Sequence, residues 1–558
     1  MPTEPVRQRR LILDLVVIGI AGALAAQLFA LVLHGTSALF LGTIAQYTPL
    51  GLPNEGGSSV EMIGRWGLWM IPVVTTLGGL LVGVLVTRLA PEAEGHGTDT
   101  VIRSFHRADG VIRPRVPPVK LLASAITIGS GGAAGREGPL ALVAAGLGSW
   151  YASLTNRTGG ERRTLMLAGM AAGLAAVFRS PVGTALFAIE VLYGGMEFES
   201  GALFATMLAS IVAYAVNGLF SGYEPLFQVP ESIGLVNPLE NIWFVVMGVA
   251  AGVVGAILPA LFYRVRDAFR ALKIRPELKP ALGGLLTGLI ALAVPQVIGG
   301  GYGWVQAAIN GELAVWVLLG LLVAKPVALS FTVGSGGSGG VFAPSLYIGA
   351  MLGGLLAYIA HLPVAPFVIV GMAAVFAGAA RVPVATLMMV TEMTGGYTLL
   401  VPAALAVMMA YVVQRRLGAS QKYSRLYEAQ VGRPADSPAH HSAHLKIALD
   451  LLQQRKVIDP GKTGGLDLLG LLRTGIPVEL PGEQRLVIKV LKATSPCVGQ
   501  PAAANDLTAD GQTTLFTIIR GEHMLGPRAD LTLEAGDRLL LLTSAAALQG
   551  LATHLDSW

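Results

Sequence analysis

Residues 129–139 read GSGGAAGREGP, and residues 334–344 read GSGGSGGVFAP. At one constant offset Gly129, Ser130, Gly131, Gly132, Gly135 and Pro139 match Gly334, Ser335, Gly336, Gly337, Gly340 and Pro344. A second pair keeps the same order. RSPVGTALFAIE at 179–190 and RVPVATLMMVTE at 381–392 share Arg, Pro, Val, Thr and a terminal Glu at identical internal spacing. Two motifs in one order, at offsets that differ by about three residues, imply a duplicated unit filling most of residues 11–430. The expected repeats run roughly over 11–220 and 240–430.

The surrounding composition is that of a membrane protein. Of 558 residues, 53% are hydrophobic and only 13% charged, against about a quarter charged in soluble domains. Apolar runs at 11–33, 66–90, 138–154, 200–220, 241–265, 280–296 and 397–413 approach or exceed the length of a helical span, with shorter ones near 163–178 and 180–196. The first run follows Arg7, Arg9 and Arg10 but is too long, and followed by too many others, to be a signal peptide. The basic segments 101–120 and 264–279 are expected on the cytoplasmic side, and the loops 43–64 and 221–240, without Lys or Arg, outside. Both termini are then cytoplasmic, in a multi-pass protein of the cell inner (plasma) membrane. The net charge of +5 is read as this topological bias, not as nucleic-acid binding. Cys497 is the sole cysteine, which excludes an intrachain disulfide and a thiolate metal cluster.

In each half a Gly-rich stretch interrupts an apolar region, and a Pro near the next helix start restarts it. A helix broken in this way presents unpaired amides at the positive end of its dipole, where anions bind. Two such ends facing each other make a dehydrated anion site that holds its ion by partial charges and so can release it. A nucleotide-binding loop is disfavoured, because GSGGAAG lacks the Gly-Lys-Ser/Thr ending and a surrounding βαβ pattern. Helix packing through small residues is the remaining bland reading.

These residues resemble the CLC family of chloride channels and chloride/proton exchangers over about residues 11–430. Gly135-Arg136-Glu137-Gly138-Pro139 looks like its GREGP motif, Gly340-Val341-Phe342-Ala343-Pro344 like its GxFxP motif, and Arg381 to Tyr397 like the segment ending in EMTGGY. The resemblance implies an all-α polytopic fold of two inverted-topology repeats with broken helices, and a homodimer with one pore per subunit. It makes Glu137 the gating and proton-exchanging glutamate. It assigns anion binding to His96, Gly97, Arg136, Gly138, Val341, Phe342 and Tyr423, the last as the tyrosine whose hydroxyl donates to the central anion. Two positions depart from the family. His96, in Gly95-His96-Gly97-Thr98-Asp99, stands where a serine usually donates to that anion. Val191 stands where proton-coupled members commonly carry an inner glutamate, and Glu190 is one residue, about 100° of helix, away. Glu190 and its repeat partner Glu392 are expected to be structural.

Beyond Arg433 the composition turns polar, giving a linker over 431–483. Arg485–Leu491, Thr514–Ile519 and Arg538–Leu542 read as strands of a small α+β domain over 484–558. Ile519-Arg520-Gly521, Gly526-Pro527-Arg528 and Glu534-Ala535-Gly536-Asp537 resemble the C-terminal subdomain of RCK regulators of potassium transport, which implies pairing or a small-molecule ligand. No CBS pair is seen.

The expected function is transport of chloride with protons as an antiporter gated by Glu137, in a lipid bilayer and without a cofactor. A passive chloride channel is the near rival, and nitrate or fluoride the alternative cargo. A membrane sensor that conducts nothing is a third class. An enzyme is the least expected, since no nucleophile–base pair or metal cluster accompanies the motifs.

Overall fold

Proline and glycine decide where the helices begin and end. A computed structural model describes residues 4–229, 241–439, 477–480, 484–501, 513–520, 523–525 and 531–544. The chain separates into two compact units, 1–430 and 431–558. The first unit holds α1 (Glu4–Ser37), α2 (Ile71–Leu89), α3 (Thr98–Arg107), α4 (Val116–Gly129), α5 (Glu137–Leu154), α6 (Gly159–Phe178), α7 (Pro181–Glu190) and α8 (Leu203–Ser221). These are followed by α9 (Asn241–Ala271), α10 (Lys279–Ala293), α11 (Tyr302–Ile309), α12 (Val315–Gly334), α13 (Phe342–Ala360), α14 (Val364–Ala380), α15 (Pro383–Thr394) and α16 (Leu400–Gly418). Proline sits in the first turn of α2, α4, α7, α10 and α15, where its missing amide hydrogen costs nothing. Between α1 and α2 a short antiparallel pair, β1 (Tyr47–Thr48) and β2 (Met62–Ile63), folds the loop.

Among the described residues seven helices are long and apolar enough to cross a membrane. Two of them, Val315–Gly334 and Phe342–Ala360, were not among the long apolar runs expected. The run at 280–296 makes only the 15-residue α10, because Pro295 starts a new turn.

Both Gly-rich stretches break helices as expected: α4 stops at Gly129 and α5 starts at Glu137, while α12 stops at Gly334 and α13 starts at Phe342. The second motif breaks two more. Arg179 after α6 and Arg381 after α14 are left-handed, at φ 53° and 57°, and turn the chain into α7 and α15.

The halves interlock at these breaks. Gly135 and Gly340 exchange both main-chain hydrogen bonds, at 2.8 and 2.6 Å, in an antiparallel bridge. Self-pairing of equivalent residues is what a twofold axis between the halves requires. The Glu pair of the second motif also crosses over. Glu190, ending α7, accepts from the amides of Val384 and Ala385 at the start of α15 (3.2 and 2.6 Å). Glu392, in α15, accepts from Gly183 and Val182 (2.8 and 3.3 Å) and from the Ser180 hydroxyl (2.5 Å) at the start of α7. Each half's carboxylate caps the other half's helix.

A third correspondence was not read from the sequence. Lys120 on α4 donates to the carbonyls of Ala93 and Gly95 (3.0 and 2.5 Å), and Lys325 on α12 to those of Val297 and Gly299 (both 2.7 Å). Both lysines are wholly buried. Each straps the loop leading into a short helix, α3 in the first half and α11 in the second.

The second unit contains an antiparallel sheet in the order β3 (Val478–Leu480), β4 (Gln484–Val490), β7 (Arg538–Ser544), β5 (Thr513–Arg520) and β6 (His523–Leu525). The three expected strands are β4, β5 and β7. Leu515, Ile518, Leu539 and Leu541 form its core with Leu491 and Leu533. Two of the resemblance motifs meet here, since Arg520 makes a two-pronged pair with Asp537 (2.8 Å each) and reaches Glu534 at 2.5 Å. Gly521 and Gly526 to Arg528 lie outside the described residues.

Candidate functional site

Glu137 is the first residue of α5 and is 1% exposed. Its Oε1 accepts a hydrogen bond from the Tyr302 hydroxyl at 2.7 Å, and its Oε2 has no partner among the described residues. The carboxylate lies where α5 offers unpaired amides and the positive end of its dipole, so it occupies a position that suits an anion. It fits because position 135 has no side chain: a Cβ there would stand 2.2 Å from Oε2. A cavity of about 360 Å³, lined by Glu137, Tyr302, Arg136, Glu55 and residues 47–52 among others, leads to it. Tyr47–Leu52 and Glu55–Ser58 in its lining belong to the loop expected outside.

The Arg136 guanidinium is ion-paired with Glu55 and lines the same cavity as Glu137.

Beside Gly138 sits His96, 5% exposed. The His96 carbonyl presses on Gly138, where a Cβ would come within 2.3 Å of it, so the central loop and the start of α5 touch main chain to main chain. Gly97 caps α3, and Val341 caps α13, whose first residue is Phe342. The His96 ring lies edge-on to Tyr427, centroids 5.4 Å apart. Tyr427 is 1% exposed and shares a hydrogen bond with Thr98. Phe342 packs against Phe178 and Phe376 at 4.4 and 4.1 Å, and Phe187 and Phe376 both contact Tyr427. Glu137, Gly138, His96, Gly97, Val341 and Phe342 are therefore brought together beside one cluster of aromatic rings.

Tyr423 is not part of it. Its hydroxyl donates to Asp267 on α9, and Lys422 donates to the same carboxylate at 3.2 Å, beside a separate cavity with Arg264 and Gln421. The segment after α16 is drawn inward only further on, where the Leu426 amide bonds to Ala379 and Tyr263 donates to the Leu426 carbonyl (2.8 and 2.7 Å). The tyrosine beside His96 is thus Tyr427.

Two further participants escaped the sequence reading. Tyr302 lies 165 residues from the carboxylate it contacts. Asp99 is one helical turn past His96 and accepts from its Nε2 at 3.2 Å. Only the spacing of three in His96-Gly97-Thr98-Asp99 hinted at that pair. Val191 is fully buried just past the end of α7, and Glu190 points to α15, as its cap role requires.

A model of the voltage gated chloride channel family matches residues 78–415, and a TrkA-C domain model matches 486–555. An H(+)/Cl(−) exchange transporter ClcA from Cronobacter sakazakii is 31% identical over 387 residues, covering 67% of this chain and 82% of that one. A voltage-gated ClC-type chloride channel ClcB from Shigella flexneri is 32% identical over 391 residues, covering 68% and 92%. The crystal structure of a slow cyanobacterial Cl−/H+ antiporter superposes with a TM-score of 0.66 at 22% identity, over 75% of this chain and 97% of that one. With paired broken helices, a buried glutamate at one of them and a family model spanning most of the membrane unit, this chain belongs to the voltage gated chloride channel family and carries a TrkA-C domain behind its membrane part.

Proposed function

We propose that the protein exchanges chloride for protons across a membrane, with Glu137 as the group that couples the two. The observation that carries this reading is the buried carboxylate at the start of α5, with one oxygen held by Tyr302 and the other bare. An ionised Glu137 occupies the anion position, so chloride and carboxylate exclude one another there. A proton from the outer cavity neutralises the carboxylate and weakens its hold on the helix amides, and chloride then takes its place. The two exchanges are thereby tied together. We assign the central anion to His96 and Tyr427 with the amides of Gly138, Val341 and Phe342, and the name of the Cronobacter relative supports the proton-coupled reading.

A passive channel is the second reading, favoured by buried Val191 at the place of the inner glutamate and by the name of the Shigella relative. We further assign the protein to the inner membrane as a homodimer with both termini cytoplasmic, the TrkA-C domain pairing subunits or taking a small ligand.

The test is reconstitution in liposomes under a valinomycin-clamped voltage, recording chloride and proton movement together. Uphill proton movement driven by chloride, lost in Glu137→Gln, is the expected result. Chloride flux without coupled protons moves the protein to the channel reading, and absence of any anion flux overturns both.

A further inference from the structure

Antiport needs a proton route to the other side of the membrane, and the position that commonly supplies it is here Val191, wholly buried and without a titratable group. The surroundings of His96 hold a substitute. The imidazole is buried; its Nε2 faces Asp99 Oδ2 at 3.2 Å, and its Nδ1 is buried with no hydrogen-bond partner among the described residues. A neutral histidine in that arrangement donates from Nε2 to the carboxylate and keeps Nδ1 as a bare acceptor. Asp99 is held in place by the Ala429 amide, which donates to its other oxygen at 3.1 Å.

Both groups line a cavity of about 250 Å³ that is distinct from the one leading to Glu137. Its mouth carries Arg103 from α3 and Arg266 and Arg270 from α9, residues of the basic segments assigned to the cytoplasm. The charged and titratable groups around the pair are Lys120 on α4, Glu92 and Glu94 before α3, Arg103, Tyr263, Arg266 and Arg270, and Arg425, Tyr427 and Glu428 after α16. Arg266 is paired with Glu428 at 2.6 Å, which leaves Asp99 as the carboxylate in contact with the ring. On the other side Tyr427 touches the ring and stands within electrostatic reach of both Asp99 and Glu137.

We propose that His96 and Asp99 form the inner proton-transfer site of this chain, in place of a glutamate at position 191. A proton leaving the Glu137 side arrives on Nδ1 and makes an imidazolium beside the Asp99 carboxylate. Turning of the ring carries the Nδ1 proton to water in the inner cavity, and the ring returns as the Nε2–H tautomer it began as, so one proton crosses per cycle with no change in net charge of the pair. Because His96 also borders the anion, its proton and the chloride favour one another's presence.

This rests on the antiport reading, and one assay separates the two. The full-length protein in liposomes is compared with His96→Gln, His96→Ser and Asp99→Asn, scoring protons moved per chloride rather than the chloride rate, which an anion-lining residue also sets. The ratio is expected to fall at least tenfold in both His96 variants and several-fold in Asp99→Asn. Adding Val191→Glu to His96→Ser is expected to bring coupled protons back. Coupled wild type with unchanged ratios in the His96 variants overturns the proposal and leaves antiport standing. Wild type without uphill protons overturns both. Should the His96 variants fail to fold, Asp99→Asn, which keeps the ring and its packing, decides: a wild-type ratio there overturns the proposal.

Discussion

Replacing Tyr302 with phenylalanine removes one oxygen and keeps the ring that packs edge-on to Phe227 at 5.5 Å. The lost bond is the 2.7 Å contact to Glu137 Oε1, and since Oε2 is already bare, both carboxylate oxygens would then lack a side-chain donor. A hydrogen bond to a charged group is worth about 1.5–3 kcal/mol. At about 1.4 kcal/mol per decade, the balance between seated and displaced carboxylate shifts roughly 10- to 150-fold toward displacement. Where release of the gate limits the rate, chloride efflux from liposomes at pH 7.5 should rise by that factor until another step takes over. The rise should vanish in a Glu137→Gln background, where there is no carboxylate for Tyr302 to hold. Efflux within twofold of wild type at pH 7.5, from a variant that elutes as the wild type does, would refute the reasoning.

Tyr427→Phe should weaken chloride binding measured by calorimetry several-fold, whereas Tyr423→Phe, whose hydroxyl serves Asp267, should leave it unchanged. Lys325→Met leaves the carbonyls of Val297 and Gly299 without their donor, at a cost of about 2 kcal/mol or more; a lowered melting temperature and efflux resembling Tyr302→Phe should follow together. Cys497 in the TrkA-C domain has its thiol pushed up by burial, so less of it is thiolate at neutral pH. Maleimide labelling at pH 7 should be slower than that of a free cysteine and should speed up as the pH rises or when the domain is unfolded.

The parts of the fold visible in the sequence were those written in local chemistry. Gly-rich stretches closed by Pro139 and Pro344 mark breaks because backbone preference acts within a few residues, and the duplication gave each an independent copy. The Lys120 and Lys325 straps have the same symmetry, yet a single lysine in an apolar helix carries no pattern until its loop is seen beside it. The site divides similarly. Glu137, Gly138, His96 and Phe342 were legible from their motifs. Tyr302 was not, because its contact with Glu137 comes from the other half, and Tyr427 lost to Tyr423 because nothing local shows where the segment after α16 turns inward. The pairing of Arg136 with Glu55, from the loop between α1 and α2, was likewise invisible locally, because the two lie 81 residues apart.

The exchanged caps of α7 and α15 set a timetable for biosynthesis. The carboxylate that closes the start of α7 is encoded 210 residues after Val182. At 5–20 residues per second it leaves the ribosome about 10–40 s later. For that interval a short apolar helix with open amides sits in the nascent chain, and the first half can close only around the second. Because both caps are exchanged within one chain, neither half can finish its own helix start, and each supplies the other with the missing acceptor.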